Sequence, residues 1–162
     1  MKKKVLLGMS GGVDSSVAAI LLLKQGFEVV GITFLFGDLQ QQNEIIIKDA
    51  KSLARHLNIR HVVVDLRDAF KTTVEQYFIK EFTAGRTPFP CAKCNPELKF
   101  YYLEKYADQL GCLYISTGHY VNTAYYDNNK YIYQGNDPEK DQTFFLWGLR
   151  EDLIKRMLFP LG

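Results

Sequence analysis

Hydrophobic and polar positions alternate along the chain in blocks that predict strands and helices in turn. Short apolar or β-branched runs are typical of buried strands, and they occupy residues 4–8, 28–34, 61–65 and 113–117. The longer mixed segments between them predict helices at residues 17–24, 44–57, 69–82 and 97–110. This alternation favours an α/β fold, in which a parallel sheet carries helices on both faces and the crossovers are right-handed.

The segments between these elements are polar or rich in turn residues. Residues 37–43 are rich in glutamine and predict a mobile loop, and residues 84–96 contain three prolines and one glycine, which also indicates a loop. Residues 121–134 predict a β-hairpin, residues 135–142 a polar loop and residues 143–158 an amphipathic segment. The predicted fold is therefore a parallel α/β sheet with a small hairpin near its C-terminus.

Size and composition narrow the class of protein. A chain of 162 residues with 47% hydrophobic content predicts a single domain with one core. The net charge of +2 does not by itself indicate a nucleic-acid partner. We find no signal-peptide pattern and no apolar segment approaching the roughly 20 residues that a membrane span needs, so we expect a cytoplasmic protein with no membrane partner.

The first candidate site is a loop of glycines and serines, residues 10–16, between the first strand and the first helix. Gly11 and Gly12 allow positive φ angles and close approach to a ligand. The serine hydroxyls and the free amides of a helix N-terminus bind anions, so a phosphate is the expected ligand. Neither Gly-x-x-x-x-Gly-Lys-Ser/Thr nor Gly-x-Gly-x-x-Gly is present. A turn that merely joins strand to helix would leave the serines and Asp14 unexplained.

Two further residues fall at the edge of the sheet where this loop lies. Ligands of parallel sheets bind at the carboxyl ends of the strands, and Phe34 and Gly118 are both predicted there. An adenine ring next to Phe34 and core filling by Phe34 are both consistent with the sequence. Gly118 would let the backbone approach a nucleotide. We interpret His119 as a hydrogen-bonded turn residue rather than a general base or metal ligand.

Cys91 and Cys94 form a Cys-x-x-Cys pair in the predicted loop 84–96. Four kinds of chemistry fit such a pair: half of a zinc site, part of an iron–sulfur site, a redox dithiol, or one nucleophilic thiol with an incidental neighbour. Lys93 would lower the pKa of a nearby thiol. Cys112 lies in an apolar segment, which indicates a buried structural cysteine.

Taken in chain order, five segments resemble the tRNA-specific 2-thiouridylases. They are residues 10–16, 85–100, 117–120, 137–142 and 158–162. The resemblance implies that ATP adenylates the C2 oxygen of the wobble uridine of tRNA, after which sulfur relayed as a cysteine persulfide displaces AMP. It also implies that residues 1–162 are the ATP-pyrophosphatase (PP-loop) domain, with a Rossmann-like fold of the adenine nucleotide alpha hydrolase type.

Carried over by position, the resemblance implies a role for each matching residue. Cys94 would be the catalytic thiol, and we expect it to be more reactive than Cys91. The residues that would bind ATP, with Mg²⁺, are Gly8, Met9, Ser10, Gly11, Gly12, Val13, Asp14, Ser15, Ser16, Phe34 and Gly118. Those that would contact tRNA are Phe89, Pro90, Cys91, Lys140, Asp141 and Gln142. The implied partners are tRNA and a sulfur donor, either a cysteine desulfurase or a sulfur-relay protein.

The sequence departs from the family pattern at Cys91, where family members commonly carry aspartate. This variant Cys-x-x-Cys is also consistent with a metal ion or a cluster bound by Cys91 and Cys94. We expect the family's second, persulfide-forming cysteine and its later tRNA-binding domains to be absent from this chain. Two alternatives are an amide-forming ligase of the PP-loop group that acts on a small acid, and a nucleotide- or metal-binding module without turnover.

Overall fold

The computed structural model describes residues 3–37 and 40–162. Five strands form one parallel sheet: β1 (Lys4–Gly8), β2 (Glu28–Leu35), β3 (Arg60–Asp65), β4 (Tyr114–Ser116) and, near the end of the chain, β7 (Met157–Leu158), in the order β3-β2-β1-β4-β7. Two antiparallel strands, β5 (Val121–Tyr126) and β6 (Asn129–Gln134), form a separate hairpin. The predicted fold class and the predicted hairpin are confirmed.

Helices connect the strands of the sheet. They are α1 (Val13–Lys24), α2 (Gln40–His56), α3 (Arg67–Phe70), α4 (Gln76–Thr83), α5 (Pro90–Cys94), α6 (Phe100–Gln109) and α7 (Glu151–Arg156). One π-helical turn, Lys71–Glu75, joins α3 to α4, a second, Asn95–Lys99, joins α5 to α6, and a 3-10 turn spans Thr143–Leu146. Within the described part of the chain, no helix is both long and apolar enough to cross a membrane.

Successive side chains of β1 point to opposite faces of the sheet, and each face carries its own hydrophobic cluster. Val5 and Leu7 pack with Leu22 of α1 on one face, where α2 also packs. Leu6 packs with Phe100 of α6 and Leu153 of α7 on the other face. Helices therefore cover both faces, as the continuous apolar runs of the strands predict.

Two predicted boundaries were wrong and one strand was missed. Helix α2 begins at Gln40, inside the predicted loop 37–43, because glutamine is a good helix former; residues 38–39 of that loop lie outside the described residues. The predicted loop 84–96 ends at Pro90, which is the first residue of α5, where the fixed φ of proline suits a helix. Strand β7 was missed because two residues are too short to show a pattern, and its pairing with β4 makes it a strand.

Strand β1 lies between β2 and β4. From β1 the chain continues to β2 and β3 on one side of β1, and it then returns to form β4 and β7 on the other side. This is the point in the sheet where the strand order reverses. Ligands of open parallel sheets bind in the crevice outside the carboxyl ends of the strands at such a point.

Candidate active site

The loop after β1 is held in place by β2 and α2. The Met9 amide donates to the Ile32 carbonyl at 2.8 Å, and the Thr33 hydroxyl donates to the Met9 carbonyl, also at 2.8 Å. Gly11 has a φ of 77°, and a Cβ there would lie only 3.0 Å from the Cβ of Asp49. Gly11 is therefore required both by its backbone conformation and by its contact with α2.

The three serine side chains of this loop form hydrogen bonds within the turn, and Ser10 Oγ accepts the Gly12 amide at 3.4 Å. Ser15 Oγ and Ser16 Oγ donate to the Gly12 carbonyl at 3.1 and 2.8 Å. Gly12 is the N-cap of α1 and provides no side-chain acceptor for the first amides of the helix. Those amides are therefore the donors available to an anion at this end of α1.

A cavity of about 430 Å³ opens at the carboxyl edge of the sheet, a volume within the usual range for small-molecule sites. Its wall consists of the loop after β1, the end of β2 and the segment after β4. Seven of the residues predicted to bind ATP line it: Gly8, Met9, Ser10, Asp14, Ser15, Phe34 and Gly118. Four others, Gly11, Gly12, Val13 and Ser16, belong to the same loop but do not line the cavity.

Gly118 lines the cavity, but its closest neighbours belong to the protein. A Cβ at this position would lie 3.1 Å from the Ser15 amide nitrogen and 3.2 Å from the Asp14 carbonyl carbon. The missing side chain thus lets the segment after β4 pack directly against the first turn of α1.

Phe34 fits both interpretations made from the sequence. Its ring lines the cavity and also contacts the rings of Phe36, Tyr102 and Tyr106, with centroids 5.9, 6.5 and 6.3 Å away. One part of Phe34 is therefore exposed to the cavity, while another packs against the core.

His119 and Lys99 also line the cavity and were missed as site residues. His119 Nδ1 lies 2.7 Å from the Thr117 hydroxyl, which agrees with a hydrogen-bonded turn residue. Burial, with a smaller effect of the Lys99 charge, lowers the pKa of His119 to about 3, so the imidazole is neutral near pH 7. The signal for His119 was its place beside Gly118, whereas Lys99 sits in a helical segment with no local motif.

Tyr120 connects the loop after β1 with the segment predicted to contact tRNA. Its hydroxyl donates to Asp14 Oδ1 at 2.6 Å, and its amide donates to Gln142 Oε1 at 3.1 Å. The Lys140 ammonium lies 5.4 Å from the centroid of the Tyr120 ring. Gln142 itself lines the cavity. Tyr120 therefore contacts Asp14, Gln142 and Lys140 at once.

The two segments predicted to contact tRNA lie close to each other. The ring of Phe89 is 5.5 Å from that of Phe144, which follows the second segment by two residues. Asp141 is already engaged, because its Oδ1 accepts the Thr143 hydroxyl at 2.5 Å and the Gly135 amide at 3.0 Å. Asp141 therefore stabilises its own loop, whereas the exposed Lys140 ammonium lies 4.0 Å from Asp137 Oδ2.

The cysteine pair occupies the first turns of a helix, with Cys91 exposed and Cys94 partly buried. Burial raises the pKa of the Cys94 thiol, and the charge of Lys99 acts in the opposite direction. Lys93, which we expected to lower this pKa, is paired instead with Glu97 at 2.5 Å. Neither cysteine lines the cavity. Among the residues described, no group of three or more histidine, cysteine or acidic side chains could hold a metal ion.

Comparison with protein families gives a match over nearly the whole chain. Residues 3–162 match the family model described as "tRNA methyl transferase HUP domain". The chain belongs to this family. Curated relatives include tRNA-specific 2-thiouridylase MnmA 1 of Bacteroides fragilis, 50% identical over 160 residues, and tRNA-specific 2-thiouridylase MnmA of Carboxydothermus hydrogenoformans, 44% identical over 175 residues. The resemblance to the 2-thiouridylases is thereby confirmed.

The matches cover 99% of this chain but only 44% and 47% of those two relatives, so the chain spans less than half of their length. Among solved structures, the NMN synthetase from Francisella tularensis is 25% identical, with a TM-score of 0.50 over 71% of this chain and 44% of that one. A predicted subunit of tRNA methyltransferase from Methanocaldococcus jannaschii is 21% identical, with a TM-score of 0.57 over 98% and 68% of the two chains. These structures support the fold.

Proposed function

We propose that this chain is the ATP-binding domain of an enzyme that converts the wobble uridine of tRNA to 2-thiouridine. The observation that carries the proposal is the cavity at the reversal point of the sheet, which seven of the predicted ATP-binding residues line. The relatives that are 50% and 44% identical are 2-thiouridylases by name, and we extend that activity to this protein. Bound ATP would supply the AMP group that activates the uridine oxygen.

The amides at the start of α1 are the groups that would hold the phosphates, because anions bind favourably at helix N-termini. Asp14 is the carboxylate among the residues lining the cavity, and Mg²⁺ is commonly held by one or two carboxylates together with substrate phosphates. We therefore assign the Mg²⁺ contact to Asp14, with the Tyr120 hydroxyl fixing the orientation of its carboxylate.

Cys94 is the thiol that we assign to catalysis. It lies five residues before Lys99, about 7 Å along a helix, and Lys99 lines the cavity. The thiol is therefore close to the nucleotide site without being part of its wall. We assign the contact with tRNA to Phe89, Pro90, Cys91, Lys140 and Gln142, and the sulfur would come from a persulfide-carrying donor protein. Phe89 and the segment after Gln142 lie together, since the Phe89 and Phe144 rings are 5.5 Å apart.

The test measures ATP consumption by the purified protein with and without unmodified tRNA, and 2-thiouridine in the product by mass spectrometry. We expect ATP consumption to depend on tRNA. Asp14→Ala and Ser15→Ala should lower ATP consumption far more than they lower thermal stability. Asp68→Ala, an exposed aspartate that also lies in the first turn of a helix, is the matched control. ATP consumption that depends on a small acid instead of tRNA would refute the proposal in favour of a ligase.

A further inference from the structure

Lys99 contributes an ammonium group to the cavity from the side opposite the phosphate loop. Helix α1, which carries that loop, packs on one face of the sheet, and α6, which follows Lys99 directly, packs on the other. Lys99 and the loop residues Ser10 and Ser15 nevertheless line the same cavity. The cavity thus has amides on one wall and a cation on the other.

The π-helical turn Asn95–Lys99 explains how this lysine reaches the cavity. The Phe100 amide bonds to the Asn95 carbonyl, five residues back, where an α-helix would use the fourth. On a regular α-helix, residues five apart point about 140° away from each other. The wider π turn brings Lys99 back towards the side of Cys94, and π turns within helices are frequent at functional sites. Burial lowers the pKa of Lys99, and the nearby Cys94 and Cys91 act on that pKa in the opposite direction.

No counter-ion holds the Lys99 ammonium within the described ranges 3–37 and 40–162, although other lysines are paired, such as Lys93 with Glu97. The side chain is largely buried, and this burial lowers its pKa. A buried cation without an anionic partner is unfavourable. The open space in front of Lys99 is the cavity itself, so an anionic ligand there would supply the missing partner.

We propose that Lys99 binds the α-phosphate of the nucleotide, the phosphate that is transferred as part of AMP to the uridine oxygen. This inference rests on the proposed function, which places the phosphates at the amides of α1, and it assigns those amides to the β- and γ-phosphates, the pyrophosphate that leaves. The α-phosphate then lies between those amides and the acceptor base. Lys99 stands on that side, because its helix also carries Cys94, the thiol that acts on the adenylated base.

The experiment compares Lys99→Met, Lys99→Arg and the control Lys105→Met for binding of ATP, AMP and pyrophosphate, with a fluorescent ATP analogue as the displaced probe. Lys105 lies on α6 with its ammonium over the Tyr102 ring and does not line the cavity. One hydrogen bond to a charged group corresponds to an affinity change of about 10- to 100-fold. We expect Lys99→Met to weaken ATP and AMP by that factor, pyrophosphate by less than about 2-fold, and Lys99→Arg to restore most of the loss.

Three results would each overturn the assignment of Lys99. They are unchanged AMP binding in Lys99→Met, equal weakening of AMP and pyrophosphate binding in that variant, and failure of AMP to displace the probe from the wild-type protein. Failure of the wild-type protein to bind ATP at all would overturn the proposed function instead. Replacing a buried ammonium by a methionine of similar length removes a desolvation cost, so Lys99→Met is expected to fold. Thermal unfolding of each variant verifies this.

Discussion

Gly118→Ala tests whether the segment after β4 has to pack against the start of α1. The new Cβ would lie 3.1 Å from the Ser15 amide nitrogen and 3.2 Å from the carbonyl carbon and the Cβ of Asp14. A side-chain rotation moves none of these atoms, because each is part of the helix backbone or bonded directly to it. Overpacking of this kind costs about 1–3 kcal/mol. For a domain of this size, a loss of about 2 kcal/mol lowers Tm by about 4–8 °C. The α1 amides would also shift by a few tenths of an ångström, which should weaken ATP binding about tenfold through the loss of one charge-assisted hydrogen bond.

The assay is thermal unfolding and ATP titration of Gly118→Ala beside Gly37→Ala. A Cβ at Gly37 meets no atom within 4 Å, so this control introduces the same methyl group without a clash. Both quantities should change in Gly118→Ala and neither in Gly37→Ala. Equal Tm values for the two variants would refute the packing argument. A lower Tm with unchanged ATP affinity would refute the link between this contact and the phosphate site.

Three other predictions concern the site. Tyr120→Phe should leave Tm nearly unchanged but alter the Mg²⁺ concentration needed for half-maximal ATP binding. The reason is that Asp14 loses the 2.6 Å hydrogen bond that orients its carboxylate. An identical Mg²⁺ dependence would argue against Asp14 as a ligand of Mg²⁺. Iodoacetamide should modify the exposed Cys91 faster than the partly buried Cys94, because burial raises the pKa of the Cys94 thiol. Cys94→Ser should nevertheless abolish tRNA thiolation, and Cys91→Ser should not. Mass spectrometry measures both the alkylation and the thiolation. The free energy of unfolding should fall as the pH drops from about 6.5 towards 3. The reason is that His119 takes up a proton near pH 6.5 in the unfolded chain and only near pH 3 in the folded protein. The same pH series on His119→Asn should show a shallower fall.

The order of alkylation differs from our expectation from the sequence, in which Cys94 was the more reactive thiol. Sequence position identified the thiol that matches the family's catalytic cysteine, but reactivity depends on exposure and on the thiolate fraction. The structure partly buries Cys94 and exposes Cys91. A catalytic thiol that is sheltered in the free protein and an accessible neighbour are compatible with each other, because tRNA binding would change the surroundings of both.

Local sequence determined much of this protein. Short apolar runs predicted four of the five sheet strands, because a strand buried on both faces needs continuous apolar residues, and the hairpin followed from its own turn. The order Ser10 to Ser16 predicted the anion site, because a glycine turn that opens a helix presents free amides wherever it occurs. Such features depend on neighbours in the chain, so a pattern of neighbours reveals them.

Contacts between distant segments were decided by the tertiary structure. Strand β7 exists because Met157 pairs with Ile115, and Tyr120 holds Asp14 across a separation of 106 residues. Lys99 has the composition of an ordinary helix residue, and only the π turn together with the packing of α6 brings its charge to the cavity. The sequence thus determined most of the strands and predicted the loop for an anion, whereas the assembly of the sheet decided which side chains meet at the cavity. The reason is that these contacts depend on strand order and helix register rather than on adjacency in the chain.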